Sequence, residues 1–102
     1  MYGGAGDSTS GTIGYRGDSL PGTNTYAELG NGFALGGLPY KQKLRISFSG
    51  RTVTAVKRDI GGGGSSVFGY TRAIDLWHET AAKLHFTGIG LVKIREIRKV
   101  IR

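Results

Sequence analysis

The chain has 102 residues, a formal net charge of +7 and no cysteine, which bounds it to one domain with one modest core and excludes disulfide staples and thiolate metal sites. No run approaches the roughly 18 consecutive apolar residues of a membrane helix, and the opening MYGGAGDSTSGTIG lacks the basic and apolar regions of an export signal. Nineteen glycines without a collagen period point to tight turns between short strands, hence to a compact barrel or sandwich.

Residues 1–12 are small, polar and glycine-rich, and read as a flexible arm ahead of a domain spanning 13–102. IGYRGDSLPGTN then suggests a short strand at Ile13 to Arg16 followed by an exposed turn-rich loop. The Arg16-Gly17-Asp18 match to an adhesion tripeptide is too short to carry weight. Thr25 to Leu29 alternates as a strand, and Asn31-Gly32 favours positive backbone angles and a tight turn. KLRISFSGRTVTAVKRD predicts a hairpin of strands at Lys43 to Phe48 and Thr52 to Lys57, joined at Ser49-Gly50. Its alternation puts Leu44, Ile46 and Phe48 on one face and Val53, Ala55 and Lys57 on another. GGGGSS at 61–66 reads as a mobile loop over a cleft, since no Lys-Ser/Thr follows it to make a phosphate cradle. Asp75 is placed as the N-cap of a helix from Leu76 to His85, with Glu79 and Lys83 as an exposed pair. GLVKIREI predicts a last strand.

Two acids flank the glycine run, Asp59 at the end of one alternating stretch and Asp75 before the helix, and a folded-back loop would bring both to one cleft. The remaining acids, Glu28 among them, lie in polar or turn-rich surroundings or on the outer helix face. Acid catalysis at a glycosidic oxygen needs a carboxyl in a partly apolar cleft. Asp75 beside Trp77 meets that description, and Asp59 is its candidate partner for stabilising charge or acting as base. Tyr40, Tyr70 and Trp77 are the aromatic surfaces on which sugar rings could stack, with Arg58 and Arg72 as polar contacts. Each has a plainer alternative: a cap or turn role for the acids, core packing for Trp77. Neither histidine has the companions a metal site requires, and nothing in the sequence calls for a cofactor.

The order LPYKQKLRI, RTVTAVKRDIG, RAIDLWHETAAKLHF and GIGLVKI resembles the rare lipoprotein A and expansin families over about the last seventy residues. The Ile74-Asp75-Leu76 step with Ala81-Ala82 and Leu84 is its most specific piece. The resemblance implies a mainly β fold, a six-stranded double-psi β-barrel with one short α-helix. It also implies bacterial cell-wall glycan strands as partner, with Asp59 and Asp75 as catalytic residues in the active members. Rare lipoprotein A proteins include lytic enzymes acting on peptidoglycan, whereas expansins loosen wall polysaccharide without evident hydrolysis. One departure counts against activity: the histidine preceding the leucine-proline step is Leu35 here.

The expectation is thus a peptidoglycan-interacting module, active as a lytic transglycosylase or glycosidase or degenerate, from an exported or bacteriophage lysis or tail protein. Such a setting is extracellular, periplasmic or virion-associated. The alternative is a non-catalytic structural or carbohydrate-binding barrel in a larger assembly, with other domains or subunits as partners. Nucleic-acid binding ranks third, because the charge permits it while no recognition helix or stacking strip is present.

Overall fold

The computed structural model describes residues 13–62, 66–67, 70–71, 73–86 and 91–97. In chain order the elements are β1 (Thr25–Glu28), α1 (Leu29–Gly32), β2 (Lys43–Phe48), β3 (Arg51–Ile60), β4 (Ser66–Val67), β5 (Tyr70–Thr71), β6 (Ile74–Leu76), α2 (His78–Lys83) and β7 (Lys93–Ile97). The protein is mainly β. One mixed sheet runs β6-β1-β3-β2-β7, and β4 pairs with β5 in a separate hairpin. Among the described residues the large sheet therefore has five strands and is not closed, where six in a closed barrel were expected. Two short helices stand where one was expected. The expected arm at 1–12 lies outside the described residues, as do 63–65 of the glycine-rich loop.

The β2–β3 hairpin forms at the expected Ser49-Gly50 connection, and its register sets Leu44 opposite Ala55 and Ile46 opposite Val53, so the two apolar sets share one face of the sheet. Its two-residue connection has positive φ at both Ser49 (50°) and Gly50 (81°), the type I′ pattern whose twist matches the flanking strands. Serine is an uncomfortable occupant of that geometry. Ser49→Asn is expected to stabilise the protein by about 0.5 kcal/mol, read as a higher urea midpoint at unchanged slope.

β3 is shared between two partners. Its first half pairs antiparallel with β2, and its second half pairs parallel with β1 through a register slip between Tyr26 and Ala27. One face of the sheet carries the main core: Tyr26, Leu44, Ile46, Val53, Ala55 and Leu76, closed by Ala81, Leu84 and Phe86. The expected strand at Ile13 to Arg16 reduces to a single bridge between Ile13 and Ser19 around a turn. Gly14 packs so tightly there that a Cβ would overlap the Arg58 carbonyl oxygen.

The helix begins two residues later than expected, and Asp75 is not its cap. Residues 74–76 are instead captured as a strand by β1, Tyr26 opposite Leu76 and Ala27 opposite Asp75, and the Trp77 amide donates to the Thr25 carbonyl at 3.0 Å. Strand pairing satisfies these backbone groups better than a first helical turn, whose amides would have no partner. Trp77 holds the N-cap position with no side-chain cap bond. The helix is tied to the chain before β1. The Thr25 amide donates to Thr80 Oγ1 at 2.9 Å, Lys83 Nζ to Asn24 Oδ1 at 2.7 Å, and the Gly22 amide to Glu79 Oε1 at 2.9 Å. These contacts replace the expected Glu79–Lys83 pair. At its end His85 takes φ 54°, and the Phe86 amide reaches back to the Ala81 carbonyl at 2.9 Å, a Schellman-type closure.

Candidate functional site

Both predicted catalytic acids lie on one face of the sheet. Ala27 of β1 is registered with Asp59 of β3 on one side and with Asp75 of β6 on the other. Directly paired residues project to the same face, so the two carboxylates flank one small side chain. Two strand spacings separate their Cα atoms by about 9.5 Å. Both are half-buried. The Ile60 amide donates to Asp59 Oδ1 at 2.9 Å.

Trp77 is not a platform beside this pair. It is 1 % exposed and packs with Leu20 and Ala27 in a second, small core on the acid-bearing face. Its indole nitrogen donates to Glu79 Oε1 at 3.2 Å. The loop before β1 supplies Leu20 as a cover, and a buried indole cannot stack on a sugar. The amide of Gly22 and then the Trp77 indole hold Glu79 below its ordinary carboxylate value.

Tyr40 and Arg58, the other predicted contacts, meet through a residue the sequence left in a loop. Asp18 accepts from Arg58 Nη1, and the neighbouring Tyr40 hydroxyl, then Arg58, hold its carboxyl below the usual value. The Asp18 carboxylate in turn raises the Tyr40 phenol. Around it the Tyr15 ring meets Tyr40 edge-on at 5.9 Å, the Arg16 guanidinium lies 4.8 Å from the Tyr40 centroid, and Lys41 Nζ lies at 5.5 Å. Lys57 Nζ is 5.9 Å from the Tyr15 ring. Tyr15, Arg16 and Lys41 are exposed, and Tyr40 is half-buried. The Arg-Gly-Asp tripeptide is thus engaged within the chain. Tyr70 lies in β5 opposite Val67, and Arg72 falls outside the described residues.

Among the described residues a buried ion pair stands that was not anticipated. Glu28, expected in polar surroundings, is fully buried, and Lys57 Nζ donates to its Oε1 at 2.8 Å. The Leu35, Gly37 and Leu38 amides donate to the same carboxylate at 2.7, 3.0 and 2.7 Å. Burial alone would push Glu28 up, but the Lys57 ammonium and these amides outweigh it and hold the carboxyl low. The signal was present as periodicity. Lys57 continues the inward alternation of Val53 and Ala55, and Glu28 shares the face of Tyr26, so two inward charges of opposite sign stood on strands that pair.

Leu35, at the position of the family histidine, contributes its amide to Glu28 and its side chain to the edge of the main core. Among the described residues no group of His, Cys, Asp and Glu is arranged to hold a metal ion, and no helix is long and apolar enough to cross a membrane. The arrangement therefore offers one aromatic and cationic surface, one pair of acids across a strand, and one buried ion pair that shapes a loop. No family model, characterised protein or solved structure matches this chain.

Proposed function

We propose that this chain is a module of an exported or phage-borne assembly that binds bacterial cell-wall glycan without cleaving it, and that its sheet is part of a six-stranded double-psi barrel. The stagger of the sheet supports the barrel. β2 and β1 pair with successive halves of β3 on its opposite edges, the stepped register that closure of a small barrel requires. The observation that carries the binding role is the Tyr15–Tyr40 surface. Two aromatic rings inclined at 75° offer flat surface to sugar C–H groups, and Arg16 and Lys41, whose cations lie over the Tyr40 ring, offer charge to the carboxylates of peptidoglycan. The edge of Tyr15 and the Arg16 guanidinium hold the Tyr40 ring, which lowers the entropy lost on binding. Leu35 in place of the histidine, and Trp77 buried in a core where it presents no face to a sugar, speak against turnover.

Tyr40→Ala is expected to weaken retention on purified peptidoglycan about tenfold, equivalent to roughly 1.4 kcal/mol, with Tyr15→Ala smaller in effect. Wild-type retention should fall with added salt. Equal retention on cellulose, chitin and peptidoglycan would defeat the assignment.

The placement of Asp59 and Asp75 around Ala27 favours a second reading, residual acid chemistry on the glycan. Wild-type protein is expected to release no muropeptide or anhydro-sugar from stem-peptide-free strands on long incubation. Robust release, lost in Asp75→Asn, would restore the enzyme.

A further inference from the structure

The face of the sheet that carries Asp59 and Asp75 at one end is uncovered at the other, and its charge reverses there. Arg45 of β2 stands directly opposite Arg95 of β7. Lys43 precedes Arg45 on one strand and Lys93 precedes Arg95 on the other, all four exposed. The antiparallel register sets Lys43 opposite Ile97 and Lys93 opposite Ser47, so the four cations follow a diagonal across the two strands. With a rise of roughly 3.4 Å per residue and strands about 4.8 Å apart, that diagonal is about 14 Å long, with successive charges about 5–7 Å apart. Among the described residues none of the four has an ion-pair partner.

Like charges directly opposite on a sheet repel and lower stability. Two facing guanidiniums flanked by two ammoniums call for an external anion that repeats at similar spacing. The residues beside them on β3 are Thr52, Thr54 and Val56, with Ser47 on β2. Among the described residues no aromatic side chain stands beside these four cations on β2, β3 or β7 to stack a nucleobase, so recognition here is through charge and the planar fork of arginine, which matches phosphate oxygens.

We propose that Lys43, Arg45, Lys93 and Arg95 form a binding ladder for a linear phosphodiester polymer without bases, a polyol phosphate of the bacterial wall. The ligand class rests on the wall-binding reading above, but the ladder uses residues separate from the Tyr15–Tyr40 surface. The wall would be held at two points, the glycan on the aromatic patch and the phosphate polymer on the ladder. Joining the two raises retention on intact wall above that of either alone.

The test measures binding of the full chain to linear poly(glycerol phosphate), to poly(dT) of equal charge number, and to peptidoglycan stripped of phosphate polymer, each at two salt concentrations. Arg45→Thr with Arg95→Thr is expected to weaken poly(glycerol phosphate) binding at least tenfold and to reduce the slope of log K against log salt by about 1.5–2. Retention on stripped peptidoglycan should stay unchanged. The same double variant should be as stable as wild type or more so, because the like-charge pair is gone. Wild-type polymer affinity in the double variant, or its loss of stability, would overturn the ladder. Tighter binding of poly(dT) than of poly(glycerol phosphate) would reassign it to nucleic acid and overturn the proposal as well. Polymer binding that persists while wild-type protein ignores stripped peptidoglycan would uphold the ladder and sink the glycan reading alone.

Discussion

Glu28→Gln is expected to lower stability by about 3–5 kcal/mol, because it leaves the Lys57 ammonium buried without a counter-charge. At about 4 °C or more per kcal/mol for a domain of this size, the melting temperature should fall by at least about 12 °C. Lys57→Met should cost less, since Glu28 keeps the amides of Leu35, Gly37 and Leu38. The double variant Glu28→Gln/Lys57→Met should recover part of the loss, as removal of both charges leaves no lone ion. Strictly additive losses would show that the two groups do not act as a pair. The pair also sets an acid limb. The folded-state carboxyl of Glu28 lies below its ordinary value of 4.5, so its contribution is complete above about pH 4.5 and is lost as pH falls through the folded value. In Glu28→Gln the decline of stability below pH 4.5 should be shallower. The 33–38 loop, whose amides the carboxylate holds, should be the first segment to lose hydrogen-exchange protection.

Trp77→Ala is expected to cost about 3–5 kcal/mol, the range for emptying a large aromatic site in a core. The indole is 1 % exposed and shares its core with Leu20 and Ala27, so its loss empties that small core, while the chain before β1 stays anchored to β3 through Asp18 and Arg58. Peptidoglycan retention per folded molecule should be unchanged, because the Tyr15–Tyr40 surface lies elsewhere. A stable Trp77→Ala that had lost retention would make Trp77 a sugar platform after all. Opposite outcomes are thus assigned to two aromatic residues: loss of Trp77 removes stability and spares binding, whereas loss of Tyr40 removes binding.

Local pattern was sufficient where one face of a strand is buried and the turn chemistry is explicit. The alternation of Leu44 and Ile46 against Val53 and Ala55, with Ser49-Gly50 between them, determined the β2–β3 hairpin and its register. The left-handed turn was likewise written in Asn31 and Gly32, whose φ angles are 58° and 90°, and the structure adds Gly30 before them at 64°. The helical pattern offers Ala81 or Thr80, and Leu84, as inward positions, and all three are buried, Leu84 just past the end of α2. Asp75 illustrates where such reading fails. An aspartate before a helical apolar pattern is a fair cap, but β1 lies within reach and takes residues 74–76 into the sheet, so pairing distant in sequence overrides the local preference.

What joins residues across the chain was decided by tertiary structure alone. Asp59 and Asp75 share a face because β1 sits between β3 and β6, an order that no spacing along the sequence encodes. Asp18 reaches Arg58 across forty positions, and Glu28 reaches Lys57 across twenty-nine. Periodicity tells which way a side chain points from its own strand, whereas the partner it meets depends on strand order and register. Those are set by the packing of the whole sheet, and the charges of Glu28 and Lys57 became a buried pair only because that packing brought two inward positions together.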